Sequence, residues 1–188
     1  MEGRTPLDED EADGLIADDV STRDELNASE QLNVLEGERW ALKTRNTEIC
    51  SASFIQELHR RMFGDVWSWA GSFRKSDKSI GIHWTEIPVA ISNLCSDLHD
   101  WTDKNTYDHD EIGARFQHRL VAIHPFPNGN GRHARLITDL LMIRLGQPRF
   151  TWGAADLTKA GSARQRYIRA LKAADQFDYA LLREFVRS

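Results

Sequence analysis

Cysteine, basic charge and long apolar runs are all scarce in this chain. The two cysteines, Cys50 and Cys95, lie in helical patterns without metal-ligand spacing, so we expect both to be buried, reduced thiols. No apolar run approaches the roughly 20 residues that span a bilayer. The net charge of -5 argues against a general surface for nucleic acid or membrane. We therefore expect a soluble, cytoplasmic protein without direct nucleic-acid or membrane partners.

The length of 188 residues, with 40% hydrophobic content, is enough for one domain with a proper core and leaves little room for a second. Residues 1–20 are acidic and carry few apolar groups to bury, which predicts a flexible tail. Residues 21–188 form the single domain. Within it, Thr22 and Glu25 have capping-box spacing and begin a helix over about 22–44, which precedes a core over about 50–188.

Strand patterns are also scarce. Between Trp67 and Trp84 the period changes from helical to alternating, with Ile80 and Ile82 on one side, and this segment predicts a small β-hairpin. Elsewhere apolar residues recur at helical spacing, in segments that begin near residues 51, 85, 108 and 130 and again toward the C-terminus. The expected fold class is all-α with one β-hairpin.

The densest chemistry lies at residues 124–135, where two helical patterns meet in His-Pro-Phe-Pro-Asn-Gly-Asn-Gly-Arg-His-Ala-Arg. The two prolines cannot continue the first helix, so His124 stands at its end, exposed by the loop that follows. An imidazole there is well placed to act as a general base for an incoming hydroxyl. Phe126, between the prolines, is best explained as an apolar pin that holds the loop to the core.

The second half of this junction predicts an anion site. Gly129 and Gly131 let backbone N–H groups approach a ligand where a new helix starts, and a helix N-terminus favours an anion. Arg132 and Arg135 share one face of that helix and can both donate to phosphate oxygens. Asn130 can orient an oxygen or cap the helix. These features together favour transfer of a phosphate-containing group.

Ordinary structural roles explain the same residues one at a time. Single histidines usually satisfy structural hydrogen bonds, Gly-Asn-Gly is a common turn, and arginines on helices are mostly solvated. His133 occupies a position that is expected to face solvent. The remaining histidines of the helical segments show no metal-ligand spacing, and we expect them at the surface or at helix ends: His59, His99, His109 and His118.

Residues 124–135 resemble the signature of the Fic family, His-Pro-Phe-x-(Asp/Glu)-Gly-Asn-Gly-Arg-x-x-Arg, at eight of its nine specified positions. The resemblance extends over about residues 30–175. Trp69-Ala-Gly-x-x-Arg74, before the expected hairpin, is similar to the family's flap region, and Tyr167-Ile-Arg-Ala-Leu171 resembles its Tyr-Tyr-x-Ala-Leu segment. The whole chain, with its acidic start, looks most like the bacterial Fic subgroup called mobile mystery protein B.

The resemblance implies a helical bundle with a β-hairpin flap, and a protein adenylyltransferase that moves AMP from ATP to a Ser, Thr or Tyr hydroxyl of a target protein. His124 would be the catalytic base. The nucleotide phosphates would be held by Gly129, Asn130, Gly131, Arg132 and Arg135, while Tyr167 would flank the base. An extended target segment would pair with the flap by strand addition, along Lys78, Ser79, Ile80, Gly81 and Ile82.

Asn128 departs from the family pattern, which has Asp or Glu at this position to bind Mg²⁺. Asparagine offers a carbonyl oxygen without charge, so the affinity for Mg²⁺ should fall. Three outcomes stay open: Mg²⁺ is held mostly by ATP itself, another phosphate-containing group is transferred, or the chain is a nucleotide-binding regulatory or interaction module with little turnover. We expect the first, with reduced dependence on Mg²⁺.

The expected N-terminal helix also resembles an inhibitory element of the family, (Ser/Thr)-x-x-x-Glu-(Gly/Asn). Leu32-Asn-Val-Leu-Glu36-Gly37 keeps the Glu-Gly pair but has Leu32 where the hydroxyl residue belongs. The resemblance implies that Glu36 pairs with Arg135 and blocks the γ-phosphate position. Glu30 is a second candidate, and an ordinary solvated helix face is the third explanation. The subgroup further implies a helix-turn-helix, antitoxin-like partner.

Overall fold

The structure is a computed structural model that describes residues 14–16, 23–44, 48–154, 157 and 161–188. Most of the expected acidic tail, and the Thr22 cap, lie outside these residues. The described ranges contain seven α-helices: α1 (Arg23–Lys43), α2 (Ala52–Phe63), α3 (Ile87–Asp103), α4 (His109–Ile123), α5 (Asn130–Arg144), α6 (Ser162–Ala174) and α7 (Ala180–Val186). Short 3-10 turns lie at Trp84–Glu86 and Trp152–Ala154. The prediction of a helical fold is confirmed.

Local side chains begin two of the helices. The hydroxyl of Ser51 accepts a hydrogen bond from the Phe54 amide at the start of α2, and the Asp108 carboxylate accepts one from the Glu111 amide at the start of α4. Such caps satisfy amide groups that have no partner within the helix. The ends of α2 and α4 are therefore fixed close to the residues that the sequence patterns indicate.

Two groups of buried apolar side chains hold the helices together. The larger group joins α1, α2, α3, α4 and α5, while the smaller group packs α6 and α7 against the other side of α4 and α5. Helices α4 and α5 also pack on each other. Because both groups include α4 and α5, the loop that joins these two helices, residues 124–129, is held by the centre of the fold.

The expected β-hairpin is wrong, because the described residues between Trp67 and Trp84 form turns and bends and contain no strand ladder. Two carbonyl groups of this segment, those of Ser76 and Ile82, accept hydrogen bonds from the guanidinium of Arg74. The side chain of Arg74 thus takes the place that a partner strand would have. Residues 74–83 are called the flap below.

One short contact reaches the core from residues 14–16. Leu15 forms an isolated antiparallel bridge with Trp67, and the amide of Ile16 donates to the Val66 carbonyl over 2.9 Å. Among the described residues this bridge is the one β-type pairing. It places residues 14–16 beside the segment that follows α2.

The scarce features of the sequence have simple structural counterparts. Cys50 is buried, Cys95 is partly buried, and both are free thiols in hydrogen-bond contact with each other. The expected burial is confirmed for Cys50, whereas Cys95 is only partly buried. In the part of the chain that the structure describes, no helix has the length and apolar character needed to cross a membrane.

Candidate active site

His124 ends α4 in a left-handed backbone conformation, with φ of 53° and ψ of 61°. Its amide still donates to the Leu120 carbonyl over 3.2 Å, which completes the last turn of the helix. A left-handed residue turns the chain sharply, and the following Pro125 prevents the helix from continuing. The expected position of His124 at a helix end is confirmed, although its side chain is partly buried instead of fully exposed.

The surroundings of His124 favour the neutral imidazole. Burial, followed by the positive charge of Arg74, lowers the pKa of His124 to about 4; the Val121 carbonyl opposes this shift and Lys78 adds to it. The Nδ1 atom of His124 is buried and forms no hydrogen bond among the described residues. A neutral imidazole at pH 7 can accept a proton, as a general base must.

Asn130 and Phe126 close the loop after His124. The Asn130 side chain accepts a hydrogen bond from the Phe126 amide at 2.9 Å and donates one to the Phe126 carbonyl at 2.8 Å. The Phe126 ring is fully buried and stacks on His59, with 3.7 Å between ring centroids. Phe126 is therefore the apolar pin that we expected. The side-chain carboxamide of Asn130 uses both its oxygen and its nitrogen within the loop, so it shapes the site and does not face a phosphate.

His59 supports the same loop from below. Its Nδ1 accepts a hydrogen bond from the Gly71 amide, so its Nε2 carries the proton and donates to the Asn128 carbonyl over 3.0 Å. Burial lowers the pKa of His59 well below its usual value, which keeps this neutral form. His59 is completely buried, so its expected surface position is wrong. Its place four residues after the buried Ile55 was the signal that could have found it.

Two further histidines are also buried, contrary to expectation. His133 hydrogen-bonds the Ile55 carbonyl over 2.9 Å, and His118 contacts the Tyr179 hydroxyl and the Asp175 carboxylate. Backbone carbonyls and distant side chains satisfy these rings, which the spacing of histidines along the sequence does not reveal. The two remaining predictions are confirmed, because His99 and His109 are exposed.

Gly129 and Gly131 lie in different structural environments. Gly129 has a φ of 76°, and a Cβ atom there would lie 2.6 Å from the Phe63 ring. Gly131 is the second residue of α5, and a Cβ atom there would meet nothing nearer than Nη1 of Arg135 at 3.6 Å. No side chain caps the start of α5. The first amides of α5 therefore border open space, which is the arrangement that binds anions.

Arg132 and Arg135 both lie beside this helix start, as expected. Arg132 sits over the Phe63 ring and donates to the Glu30 carboxylate over 3.0 Å. Arg135 is hydrogen-bonded to the Tyr167 hydroxyl, which is buried and also accepts from Gln117. The structure thus places Tyr167 as a support for Arg135. Gln117, which the sequence did not single out, completes that support.

Glu30 and not Glu36 reaches the site. The second carboxylate oxygen of Glu30 accepts a hydrogen bond from the Trp67 indole over 2.7 Å, so this acid is held on two sides. Glu36 is exposed and lines a separate surface cavity with Arg60 and Arg61. The expected pair of Glu36 with Arg135 is therefore wrong in this structure. Each residue of an α-helix adds about 100° of rotation, so Glu36, six residues after Glu30, points about 120° away from it around the helix axis.

Asn128 is engaged within the loop. Its Oδ1 accepts a hydrogen bond from the Gly129 amide over 2.6 Å, and its main-chain carbonyl is held by His59. The described residues contain no group of three or more His, Cys, Asp or Glu side chains that could hold a metal ion. The carboxylate of Glu30, which lies nearby, is already bonded to Arg132 and to Trp67. The residues present do not fit a Mg²⁺ site built by protein carboxylates.

The flap lies directly against His124. A Cβ atom added to Gly81 would lie 2.7 Å from the His124 Cβ and 3.2 Å from the Ile123 carbonyl oxygen. Gly81, Ser79 and Ile80 are exposed on the outer side, while Lys78 and Ile82 are partly buried. A cavity of about 530 Å³ separates part of the flap from Pro127 and Trp69. The structure therefore brings the expected flap residues and the expected base together.

Comparison with known proteins assigns the segment that contains these site residues to a family. The model of the Fic/DOC family matches residues 49–142, which is half of the chain and includes the entire loop and the start of α5. The chain belongs to the Fic/DOC family. Its resemblance to Fic proteins is thereby confirmed.

Curated relatives agree with this assignment. Protein adenylyltransferase fic-1 of Caenorhabditis briggsae is 37% identical over 98 residues, 50% of this chain and 19% of that protein. Protein adenylyltransferase Fic of Drosophila willistoni is 32% identical over 137 residues, 71% of this chain and 26% of that protein. The chain thus spans about a quarter or less of these relatives.

Solved structures show the same fold. BepC from Bartonella tribocorum, with bound AMPPNP, matches with a TM-score of 0.70 at 16% identity. The matched region covers 89% of this chain and 87% of the BepC chain. Fic-1 from C. elegans matches with a TM-score of 0.66 at 24% identity. The matched region covers 94% of this chain and 51% of the Fic-1 chain.

Proposed function

We propose that this chain is a protein adenylyltransferase, which transfers AMP from ATP to a serine, threonine or tyrosine hydroxyl of a target protein. The observation that supports it best is the placement of a neutral His124 beside the uncapped start of α5 and under the flap. The curated relatives carry the name protein adenylyltransferase, and BepC binds an ATP analogue. We infer the same type of donor for this chain.

The reaction then has a simple balance of bonds. The hydroxyl oxygen of the target attacks the α-phosphorus of ATP, and the bond from that phosphorus to the bridging oxygen breaks, releasing pyrophosphate. The hydroxyl proton passes to His124, whose Nε2 receives it because Nδ1 is buried. The first amides of α5 hold the α-phosphate, and Arg132 and Arg135 bind the phosphates that leave. We expect Mg²⁺ to arrive on the nucleotide phosphates and not on a side chain of this loop.

The target segment would lie along the flap. Ser79, Ile80 and Gly81 are exposed next to His124, so a peptide in extended conformation can pair with backbone groups of residues 78–82. Backbone pairing places few demands on target side chains. The hydroxyl to be modified would then stand over the imidazole at the level of Gly81.

We further propose that the described conformation is a restrained one, with Glu30 as the inhibitory residue. Arg132 cannot direct its donors fully at a phosphate while the Glu30 carboxylate holds it at 3.0 Å. The carboxylate would also repel an incoming phosphate. Release of Glu30 would therefore raise the affinity for ATP.

A nucleotide-binding regulatory module is the second candidate function. Two observations favour it: Asn128 brings no charge to the phosphate site, and Glu30 occupies one of the two arginines. Both functions require nucleotide binding, whereas only the transferase requires His124 as a base. The two candidates therefore differ in what happens when His124 is replaced.

The experiment uses ATP labelled at the α-phosphate or at the γ-phosphate, incubated with a cell lysate and with the chain or a His124→Ala variant. AMP transfer predicts protein labelling from α-labelled ATP alone, a mass increase of one AMP on the target, and loss of labelling in the variant. Labelling from the γ-phosphate would show transfer of a different group. ATP binding without any labelling, by the wild-type chain and by a Glu30→Gln variant alike, would favour the regulatory module.

A further inference from the structure

Arg74 is a buried cation that holds the ends of the flap. Its side chain is 1% exposed, and the acid nearest to it, Asp77, is 3.7 Å away and largely solvated. This ion pair is long, and burial of a charge is costly unless hydrogen bonds compensate it. The guanidinium donates to the carbonyls of Ser76 and Ile82, which lie near the two ends of the flap.

The same guanidinium holds the end of α4. Nε of Arg74 donates to the His124 carbonyl over 2.7 Å, and Nη2 also approaches the Ile123 carbonyl at 3.3 Å. The main-chain amide of Arg74 donates to the Pro125 carbonyl over 2.9 Å. Three successive residues, with the proposed base in the middle, are therefore tied to one arginine.

We propose that Arg74 is a positioning residue, which fixes the distance between the flap and the His124 imidazole and so places the target hydroxyl over its base. The role rests on the proposed transferase function, because it assigns the flap to the target and His124 to proton transfer. Arg74 touches backbone carbonyls of the flap and of the loop, and it acts through His124.

The geometry requires arginine and not merely a positive charge. A guanidinium presents five donors in a planar fork, whereas a lysine ammonium offers three donors from one point. A lysine at position 74 would keep the charge near His124 but could not reach the carbonyls of Ser76, Ile82 and His124 together. The shape of the side chain and its charge can therefore be separated by two substitutions.

Arg74→Gln removes the charge and the fork, and Arg74→Lys removes only the fork. Arg74 and Lys78 are the cations that lower the pKa of His124, so loss of the Arg74 charge should raise that pKa. An NMR titration of the imidazole should therefore show a higher pKa in Arg74→Gln and nearly the wild-type pKa in Arg74→Lys. Hydrogen exchange of residues 75–83 should be faster in both variants.

In the transfer assay both variants should lose roughly tenfold or more in kcat, the size of effect expected when reacting groups are misplaced, with KM for ATP nearly unchanged. Arg60→Gln is the matched control, because Arg60 is half exposed on α2 and pairs with Glu57. It should leave flap exchange and the His124 pKa as in the wild type.

Wild-type kcat and wild-type flap exchange in Arg74→Lys would overturn the proposal. So would a kcat loss in Arg74→Gln with no change in flap exchange or in the pKa of His124, because that pattern indicates a general structural role. Exchange and titration do not need turnover. A chain that transfers nothing, even with Glu30→Gln, would therefore reject the transferase function, while these two measurements still decide whether Arg74 couples the flap to His124.

Discussion

The Glu30 carboxylate lies 3.0 Å from the Arg132 guanidinium, although the two residues are 102 positions apart. The contact joins α1 to the start of α5, where the phosphates of ATP are proposed to bind. Glu30 is itself fixed by the indole of Trp67. In our proposal, an acid held in this way competes with phosphate for one arginine, so we expect the position of α1 to affect the affinity for nucleotide.

Glu30→Gln should therefore activate the chain. The amide oxygen of glutamine can still accept the Trp67 hydrogen bond, but its neutral side chain no longer holds Arg132 by charge. A partly buried, charge-assisted hydrogen bond contributes about 1.5–3 kcal/mol, so ATP affinity should rise by roughly tenfold or more. Isothermal titration with ATP and initial rates of labelling measure the effect.

Glu36→Gln is the matched control for this prediction. Glu36 lies on the same helix but is exposed and faces a different cavity, so its replacement should change neither ATP affinity nor labelling. Activation by Glu36→Gln without activation by Glu30→Gln would contradict the assignment. It would show that α1 adopts another register in solution.

The lowered pKa of His124 predicts an unusual pH dependence of the transfer rate. Burial and the Arg74 charge lower its pKa to about 4, and only the neutral imidazole accepts a proton. The rate of AMP transfer should therefore stay constant as the pH falls from 8 through 6.5, the ordinary pKa of histidine, and decline only toward about pH 4. Initial rates with α-labelled ATP across this range measure the profile.

Lys78→Gln sharpens the pH measurement. Lys78 also lowers the pKa of His124, so its removal should move the acid side of the profile to higher pH. The movement should be smaller than for Arg74→Gln, because Arg74 is the stronger of the two influences. A wild-type rate that already declines through pH 6.5 would contradict the prediction that a His124 imidazole of lowered pKa limits the reaction on the acid side.

Gly129 and Gly131 should respond differently to substitution by alanine. Gly129→Ala places a Cβ atom on the Phe63 ring and keeps a φ of 76°, so it should lower the free energy of unfolding by about 1–3 kcal/mol. Gly131→Ala lies within α5 in open space and should leave stability unchanged or raise it by up to about 1 kcal/mol.

ATP affinity should distinguish the same two variants in another way, because Gly131→Ala affects binding and not stability. The new methyl group of Gly131→Ala stands over the first amides of α5 and should weaken ATP binding without unfolding. Urea denaturation gives the stabilities, and isothermal titration gives the affinities. Unchanged ATP affinity in Gly131→Ala would remove the start of α5 from the phosphate site.

The sequence predicted the helices and the loop because their signals are local. His124, Gly129 and Arg135 lie within twelve residues, and prolines and glycines mark the turns between them. The Glu30–Arg132 pair could not be read in this way, since it depends on how α1 packs against distant helices. The sequence suggested Glu36 because it follows a family pattern, whereas three-dimensional packing selects Glu30.

The flap and His59 show two further limits of sequence patterns. The alternation through Ile80 and Ile82 is real, but Arg74 binds the backbone of the flap from within, so no partner strand is needed. His59 lacks metal-ligand spacing and yet is buried, because its partners are backbone groups of Gly71 and Asn128. The spacing of His59 from Ile55 indicates burial, but the distant backbone groups that bond to its ring leave no pattern along the sequence.

Asn128→Asp should restore dependence on Mg²⁺. Aspartate can still accept the Gly129 hydrogen bond that Asn128 accepts, so the loop should keep its shape while gaining a negative charge. Because Mg²⁺ prefers carboxylate and phosphate oxygens, the variant should bind ATP more tightly with Mg²⁺ than without it. The wild-type chain should show a smaller difference, since its metal would be held by the nucleotide. Isothermal titration of both proteins, with Mg²⁺ or with a chelator, measures this, and an identical Mg²⁺ dependence would show that position 128 does not contact the metal.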